Sequence, residues 1–211
     1  PKSRPFNFTP FVLEFVMMNH IYTTKAIIIK SQVSGESNKT YFLFTKDLGF
    51  IKAMAQGIRK DKSKLKGHLQ DLSLINISVV KGREVWRIVS VEAISQAPFL
   101  ENFQKLEIVK NVFSLLLRLI HGEEKNEALF NCIFVFYNFI SQNDLSGDNL
   151  KNLEIIVVLR VFYLLGYFKK SFDLSDFAEN NNLSSELLDS FRNKRKLAIT
   201  EINIALKETH L

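Results

Sequence analysis

The stretch Phe50-Ile51-Lys52-Ala53-Met54-Ala55-Gln56-Gly57-Ile58-Arg59-Lys60-Asp61-Lys62-Ser63-Lys64-Leu65-Lys66-Gly67-His68-Leu69-Gln70 decides how this chain folds. Its first six residues alternate, with Phe50, Lys52 and Met54 set against Ile51, Ala53 and Ala55. A period of two is a β-strand with one face on a core. The remainder cannot be core. Five cations and one acid fall within eight residues, Arg59 through Lys66, flanked by Gly57 and Gly67. Charge that dense stays in water or against a polyanion. A strand therefore runs into a long basic connection that the fold must leave exposed. Residues 63–70 have the length for one or two helical turns within it.

The flanking sequence supplies four more strands. Residues 22–30 are rich in β-branched side chains and end at the turn Ser34-Gly35-Glu36-Ser37-Asn38. Residues 39–46 follow, and Asp47-Leu48-Gly49 turns them into the third strand as a hairpin. Beyond the connection, 72–80 and 84–94 read as the fourth and fifth strands, joined by Lys81-Gly82-Arg83. Five short strands with one long connection between the third and fourth predict an OB-type β-barrel.

Pro98 marks a change of period. Leu106, Val109, Val112, Phe113, Leu116 and Leu117 form one stripe of a helix that stops near Gly122. Glu123-Glu124 is expected in the first turn of the next helix, which reaches about Ile140, because acids suit a helix N-terminus. A third helix is expected over 150–168, with weaker ones from Leu174, Ser184 and about Thr200. The predicted fold is α+β: a leader or upstream extension over 1–18, expected to be disordered, with Met17 or Met18 as the native start; a five-stranded OB-fold barrel over 19–96; and an α-helical domain over 97–211.

Composition narrows the function. The 211 residues carry a formal net charge of +6 and 46% hydrophobic residues. Residues 19–95 hold 13 Lys/Arg against 6 Asp/Glu, whereas residues 96–211 hold 13 against 15. The basic excess sits in the barrel, which points to nucleic acid or another anionic surface there. The single cysteine, Cys132, excludes an internal disulfide and suits a cytoplasmic protein. It reads as a small buried apolar residue. The four histidines are scattered and give no zinc-ligand spacing. No transmembrane run is evident, since the apolar stretch 155–159 stops at Arg160. No phosphate-cradling glycine loop and no nucleophile elbow occur, so the chain reads as a non-enzyme without a cofactor.

Charge runs are ordinarily solvated faces. Three features set this one apart. Gly57 lets the backbone approach a ligand closely. Lys62, Lys64 and Lys66 alternate, so an extended chain aims all three one way. Lys52 on the preceding strand adds to the same field. Aromatics interleave with this charge: Tyr41, Phe42, Phe44, Phe50 and Trp86. Alternation puts Phe42 and Phe44 on one face and Tyr41 on the other, so one set is core. Trp86, between Arg83 and Arg87, is the expected base-stacking residue. The candidate DNA-binding residues are Lys52, Arg59, Lys60, Lys62, Lys64, Lys66, Arg83, Trp86 and Arg87.

These residues resemble a known family. Tyr22-Thr23-Thr24-Lys25-Ala26-Ile27, Gly35-Glu36, Phe44-Thr45-Lys46-Asp47-Leu48-Gly49 and Gly57-Ile58-Arg59-Lys60-Asp61-Lys62-Ser63 are similar to the N-terminal domain of the bacterial recombination mediator RecO. Leu69-Gln70 and Lys81-Gly82-Arg83 continue the likeness. Leu159-Arg160-Val161-Phe162-Tyr163-Leu164-Leu165-Gly166-Tyr167 resembles the family's third major helix and its Gly-Tyr end. The resemblance implies binding of single- and double-stranded DNA and annealing of complementary strands. It implies work with a RecR-type partner, contact with the C-terminal tail of single-strand-binding protein, and indirect service to RecA. By their place in the motif, Arg59, Lys60, Lys62 and Lys64 inherit the DNA-contacting role. Many members carry a four-cysteine zinc module after the Gly-Tyr. Here residues 168–172 contain no cysteine, so the chain resembles the zinc-free members and 169–183 are expected to be loosely structured. A rival reading is a non-catalytic OB-fold adaptor whose basic loop meets an acidic protein.

Overall fold

The computed structural model describes residues 20–167 and 174–208. The expected leader, 1–18, residue 168 at the expected end of the third helix, and residues 169–173 of the expected loose segment lie outside the described residues. Five strands come first: β1 (Ile21–Ser34), β2 (Asn38–Thr45), β3 (Gly49–Ala55), β4 (Leu74–Lys81) and β5 (Trp86–Ser95). They close into a barrel in the order β1-β2-β3-β5-β4, antiparallel throughout except for the parallel pair β3 and β5. This is the OB-type architecture that the strand spacing predicts. Because β4 sits between β5 and β1, the chain leaving β3 must cross an end of the barrel. Residues 56–73 make that crossing.

Strand β1 is buried on both faces through its middle. Ala26 and Ile28 point into the barrel with Tyr41, Leu43, Ile51 and Ile77. Ile27 and Ile29 point outward into a second core that also takes Phe44 and Leu74. The unbroken apolar run Ala26-Ile27-Ile28-Ile29 is thus a strand between two cores. Each isoleucine withdrawn from water contributes about 1.5–3 kcal/mol.

The second core belongs to the helices: α1 (Phe103–Leu119), α2 (Glu127–Gln142), α3 (Gly147–Leu164), α4 (Ser175–Glu179), α5 (Ser185–Ser190) and α6 (Arg195–Glu208). Side chains of Asn102, Asn126, Ser146 and Ser184 cap α1, α2, α3 and α5. Two expected boundaries move. Helix α2 begins at Glu127 rather than at Glu123-Glu124, because Asn126 accepts from the Leu129 amide and fixes the start there. Helix α6 begins at Arg195 rather than near Thr200, continuing from a 3-10 turn at Phe191–Lys194. Helix α3 ends short of residue 168. Gly166 takes φ +78, and the Tyr167 amide reaches back to the Phe162 carbonyl. Arg160, which interrupts the apolar run of α3, is buried and donates to the Phe177 and Asn182 carbonyls, tying α4 and its exit to α3. Among the described residues no helix is long and apolar enough to cross a membrane.

Barrel and helices approach closely at the β2–β3 turn. Gly49 has φ +67, and a side chain there would collide with the backbone of Glu124 in the α1–α2 connection. The next amide, Phe50, donates to the Gly122 carbonyl at 3.3 Å. Gly35, in the β1–β2 turn, has nearly the same φ (+70) but open space around it. The pair separates backbone strain from collision. Gly35→Ala is expected to cost about 1–2 kcal/mol from the left-handed backbone alone. Gly49→Ala is expected to cost about 1–3 kcal/mol more, because the seam must open. Urea denaturation of both variants checks this; equal losses would show that the close approach is not what fixes the turn.

Candidate nucleic-acid interface

The basic connection is pinned to the barrel at several points. Ile58 and Leu69 are buried in the barrel core, and Leu65 packs partly against it. Between these anchors the chain makes successive tight turns, with hydrogen bonds from Lys60 N to Gly57 O, Ser63 N to Lys60 O, Lys66 N to Ser63 O and His68 N to Leu65 O. The helical turns expected over 63–70 do not form. Gly67 falls inside that segment, and a helix of one or two turns is too short to hold without packing of its own. The chain is not extended either, so sequence alternation does not aim Lys62, Lys64 and Lys66. The anchors do that, by drawing their apolar neighbours inward and leaving the lysines outside.

Polar contacts fix the ends. The Gly57 amide donates to Asn38 Oδ1 at 2.9 Å, and the Arg59 amide donates to the Ser37 carbonyl at 3.0 Å. Arg59 Nη1 donates to the Glu36 carbonyl at 2.9 Å and lies 3.4 Å from the Gly35 carbonyl. Gln96 Nε2 donates to the Gly67 carbonyl at 3.0 Å. The Tyr41 hydroxyl, inside the barrel, donates to the Leu69 carbonyl at 3.4 Å. Burial, with the Asp71 charge adding, pushes that phenol up to about 12, so it stays a donor at neutral pH.

Lys60, Lys62, Lys64 and Lys66 are all exposed, and among the described residues none is paired with a carboxylate. Lys52 and Arg87 are also exposed, on the outer faces of β3 and β5, where Met54 and Arg87 are register partners. Arg83 is exposed in the β4–β5 turn. Arg59 is exposed, but its guanidinium is engaged with the β1–β2 turn, so it shapes the connection as well as charging it.

Trp86 is not where a base can stack on it. It is 4% exposed and belongs to the barrel core. Its Nε1 donates to Glu123 Oε1 at 2.8 Å, and Tyr22 meets its ring edge-on at 5.3 Å. Neither face of β2 is wholly core or wholly solvent. Tyr41 is inside the barrel, Phe44 is in the helical core, and Phe42 is left half-buried outside both. The role of Glu123 is hidden in the sequence because its partners, Trp86 and Lys81, lie some forty residues away.

Glu123 belongs to a row of ion pairs along the seam. Lys81 Nζ meets it at 2.9 Å, Lys125 meets Asp47 and Glu127 at 3.4 Å each, and Lys46 meets Glu127 at 3.3 Å. Burial pushes the Glu123 carboxyl up, but hydrogen bonds from Lys81 and Trp86 with the Lys81 charge outweigh it and hold it below the usual range. A hydrogen bond from Thr24, aided by Lys125 and Lys46, holds Asp47 low. Hydrogen bonds from Lys46 and Lys125 do the same for Glu127. Among the described residues no His, Cys, Asp or Glu cluster is arranged to hold a metal.

A family model described as "Recombination protein O N terminal" matches residues 18–97, the barrel with its basic connection. Residues 18–97 belong to the RecO family's N-terminal domain. A protein named DNA repair protein RecO from Pelotomaculum thermopropionicum is 30% identical over 148 residues, covering 70% of this chain and 56% of the relative. One of the same name from Dehalococcoides mccartyi strain CBDB1 is 32% identical over 117 residues, 54% of this chain and 46% of its own length. Another, from Trichodesmium erythraeum, is 28% identical over 151 residues, 70% of this chain and 52% of its own. The chain spans about half the length of the curated relatives it matches.

The seam carboxylates make stability depend on acid in a defined direction. Each titrates lower in the folded chain than in the unfolded one, where ordinary values are about 4. Their contribution is complete above that pH and disappears as pH falls through the depressed folded values. Glu123→Gln is therefore expected to be less stable than the parent at pH 7, with the difference closing below about pH 4. Trp86 is the only tryptophan, so its emission reports the transition directly. A difference that stays constant down to pH 3 would show that Glu123 is not paired in solution.

Proposed function

We propose that this chain binds DNA through the phosphate backbone, using the connection between β3 and β4 as a cationic clamp. The observation that carries the reading is the exposure of Lys60, Lys62, Lys64 and Lys66 on a connection anchored by Ile58, Leu65 and Leu69. Anchored charge suits a polyanion, because little of the loop must be ordered on binding. Lys52, Arg83 and Arg87 extend the field around the barrel, and Arg59 holds the clamp against the β1–β2 turn. Such contacts do not read sequence, so single and double strands are both ligands. Cations between two strands offset phosphate repulsion and lower the barrier to annealing. No bond is made or broken in this role.

The relatives' printed name supports a repair role, and the recombination-mediator activity is the finer form of it. In that form the protein works with a RecR-type partner at the bacterial nucleoid. It engages the tail of single-strand-binding protein through its helical part and assists loading of RecA on coated DNA.

Changing Lys60, Lys62 and Lys64 together to glutamine tests the clamp while leaving the apolar anchors and Arg59 in place. The logarithmic salt dependence of single-strand affinity is expected to become shallower by about 2, from roughly 0.7 for each phosphate no longer neutralised. Annealing of complementary strands, bare or coated with single-strand-binding protein, is expected to slow in parallel. An unchanged salt slope in a folded variant would remove the connection from the DNA interface.

A further inference from the structure

Phe42 sits in an arrangement that packing does not explain. On the outer face of the barrel it is the register partner of Lys30 on β1 and of Lys52 on β3, so the three form one row across three strands. Lys30 Nζ lies 4.7 Å from the centre of its ring and Lys52 Nζ lies 5.6 Å from it. Phe50, the next outward residue on β3, has its ring centre 6.3 Å away, tilted by 38°. Phe50 also packs against the helical core, whereas Phe42 joins neither hydrophobic cluster. The neighbouring outward positions Gln32, Thr40 and Met54 carry no acid.

We infer that the Lys30–Phe42–Lys52 row is a stacking site for an unpaired base of single-stranded nucleic acid, with the two ammonium groups on the flanking phosphates. The inference rests on the DNA-binding reading above and specifies which form of the ligand this face takes. An aromatic ring with a cation on each side is complementary to a strand that offers a base between two phosphates. In the free protein the ammonium groups rest on the ring, a weak interaction when exposed to water. A bound strand replaces it with two stronger ones. The phosphates draw the ammonium groups outward, and the base takes the ring face, where stacking is worth more than the cation–ring attraction it displaces. A duplex keeps its bases stacked inside and can use only the lysines.

The site joins onto the basic connection. Asn38, which holds Gly57, lies four residues along β2 from Phe42, about 13 Å at the rise of a strand. A strand seated on Phe42 can therefore run along the outer face of β2 into the lysines beyond Gly57, within the few nucleotides that one OB barrel occupies.

The test compares oligothymidylate, an abasic strand of equal length and a duplex by fluorescence anisotropy, using the full chain. Phe42→Ala and Phe42→Leu are both needed. Leucine keeps apolar bulk on the strand, so a loss shared by the two variants is not a folding defect, and thermal melts verify both. Each variant is expected to weaken oligothymidylate binding about tenfold and leave the abasic strand and the duplex unchanged; Phe42→Trp is expected to retain it. Equal weakening on the abasic strand, or none on oligothymidylate, would overturn the stacking site while leaving the phosphate clamp standing. A parent protein that binds oligothymidylate no tighter than the abasic strand would overturn it in the same way. A parent protein that binds none of the three would overturn both readings.

Discussion

The structure depends on one strand serving two cores. Between Ala26 and Ile29, β1 has no solvent face: alternate residues enter the barrel and the helical core. A strand so placed cannot slip by one residue, because a slip would exchange the sets filling the two cores. It also ties barrel and helices into one packed unit, reinforced by Phe44 from β2 and by the close approach of Gly49 to the α1–α2 connection. The outer surface of the barrel is thereby divided. Part is covered by helices, and the charged residues are left to the remainder.

The distribution of charge pairs follows from that division. At the seam, cations and acids are matched: Lys46, Lys81 and Lys125 with Asp47, Glu123 and Glu127. On the connection and the outer face of β3 and β5, cations stand without such matches among the described residues. Exposed pairs of the seam kind contribute little to stability one at a time. Their arrangement matters more for what they leave out. The seam acids are engaged there, and the connection from Arg59 to Lys66 carries five cations against Asp61 alone, so the potential over it keeps its positive sign, which is the condition for drawing in a polyanion.

Much of this is legible in the sequence because it depends on local period. Alternation from Phe50 to Ala55, the spacing of five strand-like runs and the stripe from Leu106 to Leu117 each encode one element, and each forms. What stays hidden depends on contacts far apart in the chain. Lys30 follows Ile28 at a spacing that would aim both into the barrel. A bulge between them takes Ile29 out of the count and turns Lys30 to the outside, opposite Phe42. Trp86 reads as exposed because it is flanked by arginines, yet strand phase aims its ring inward, and Glu123 satisfies its N–H. Residues 63–70 have the length for helical turns, but Gly67 lies among them and a helix that short gains too little to form, while Ile58, Leu65 and Leu69 pack on the barrel core.

On the proposed reading, a rigid barrel with exposed lysines suits a protein that releases the strand it holds. Contacts between exposed cations and phosphates are individually weak and exchange with salt ions, so a bound strand can be displaced segment by segment. Deeply buried charge would bind more selectively and would also carry a desolvation cost that resists exchange. Anchoring the connection by its apolar residues keeps the lysines available without diverting binding free energy to ordering the loop. Grip, on the proposed reading, comes from geometry: a pinned connection with its lysines outward, and a Phe42 ring that joins neither core and lies between two lysines.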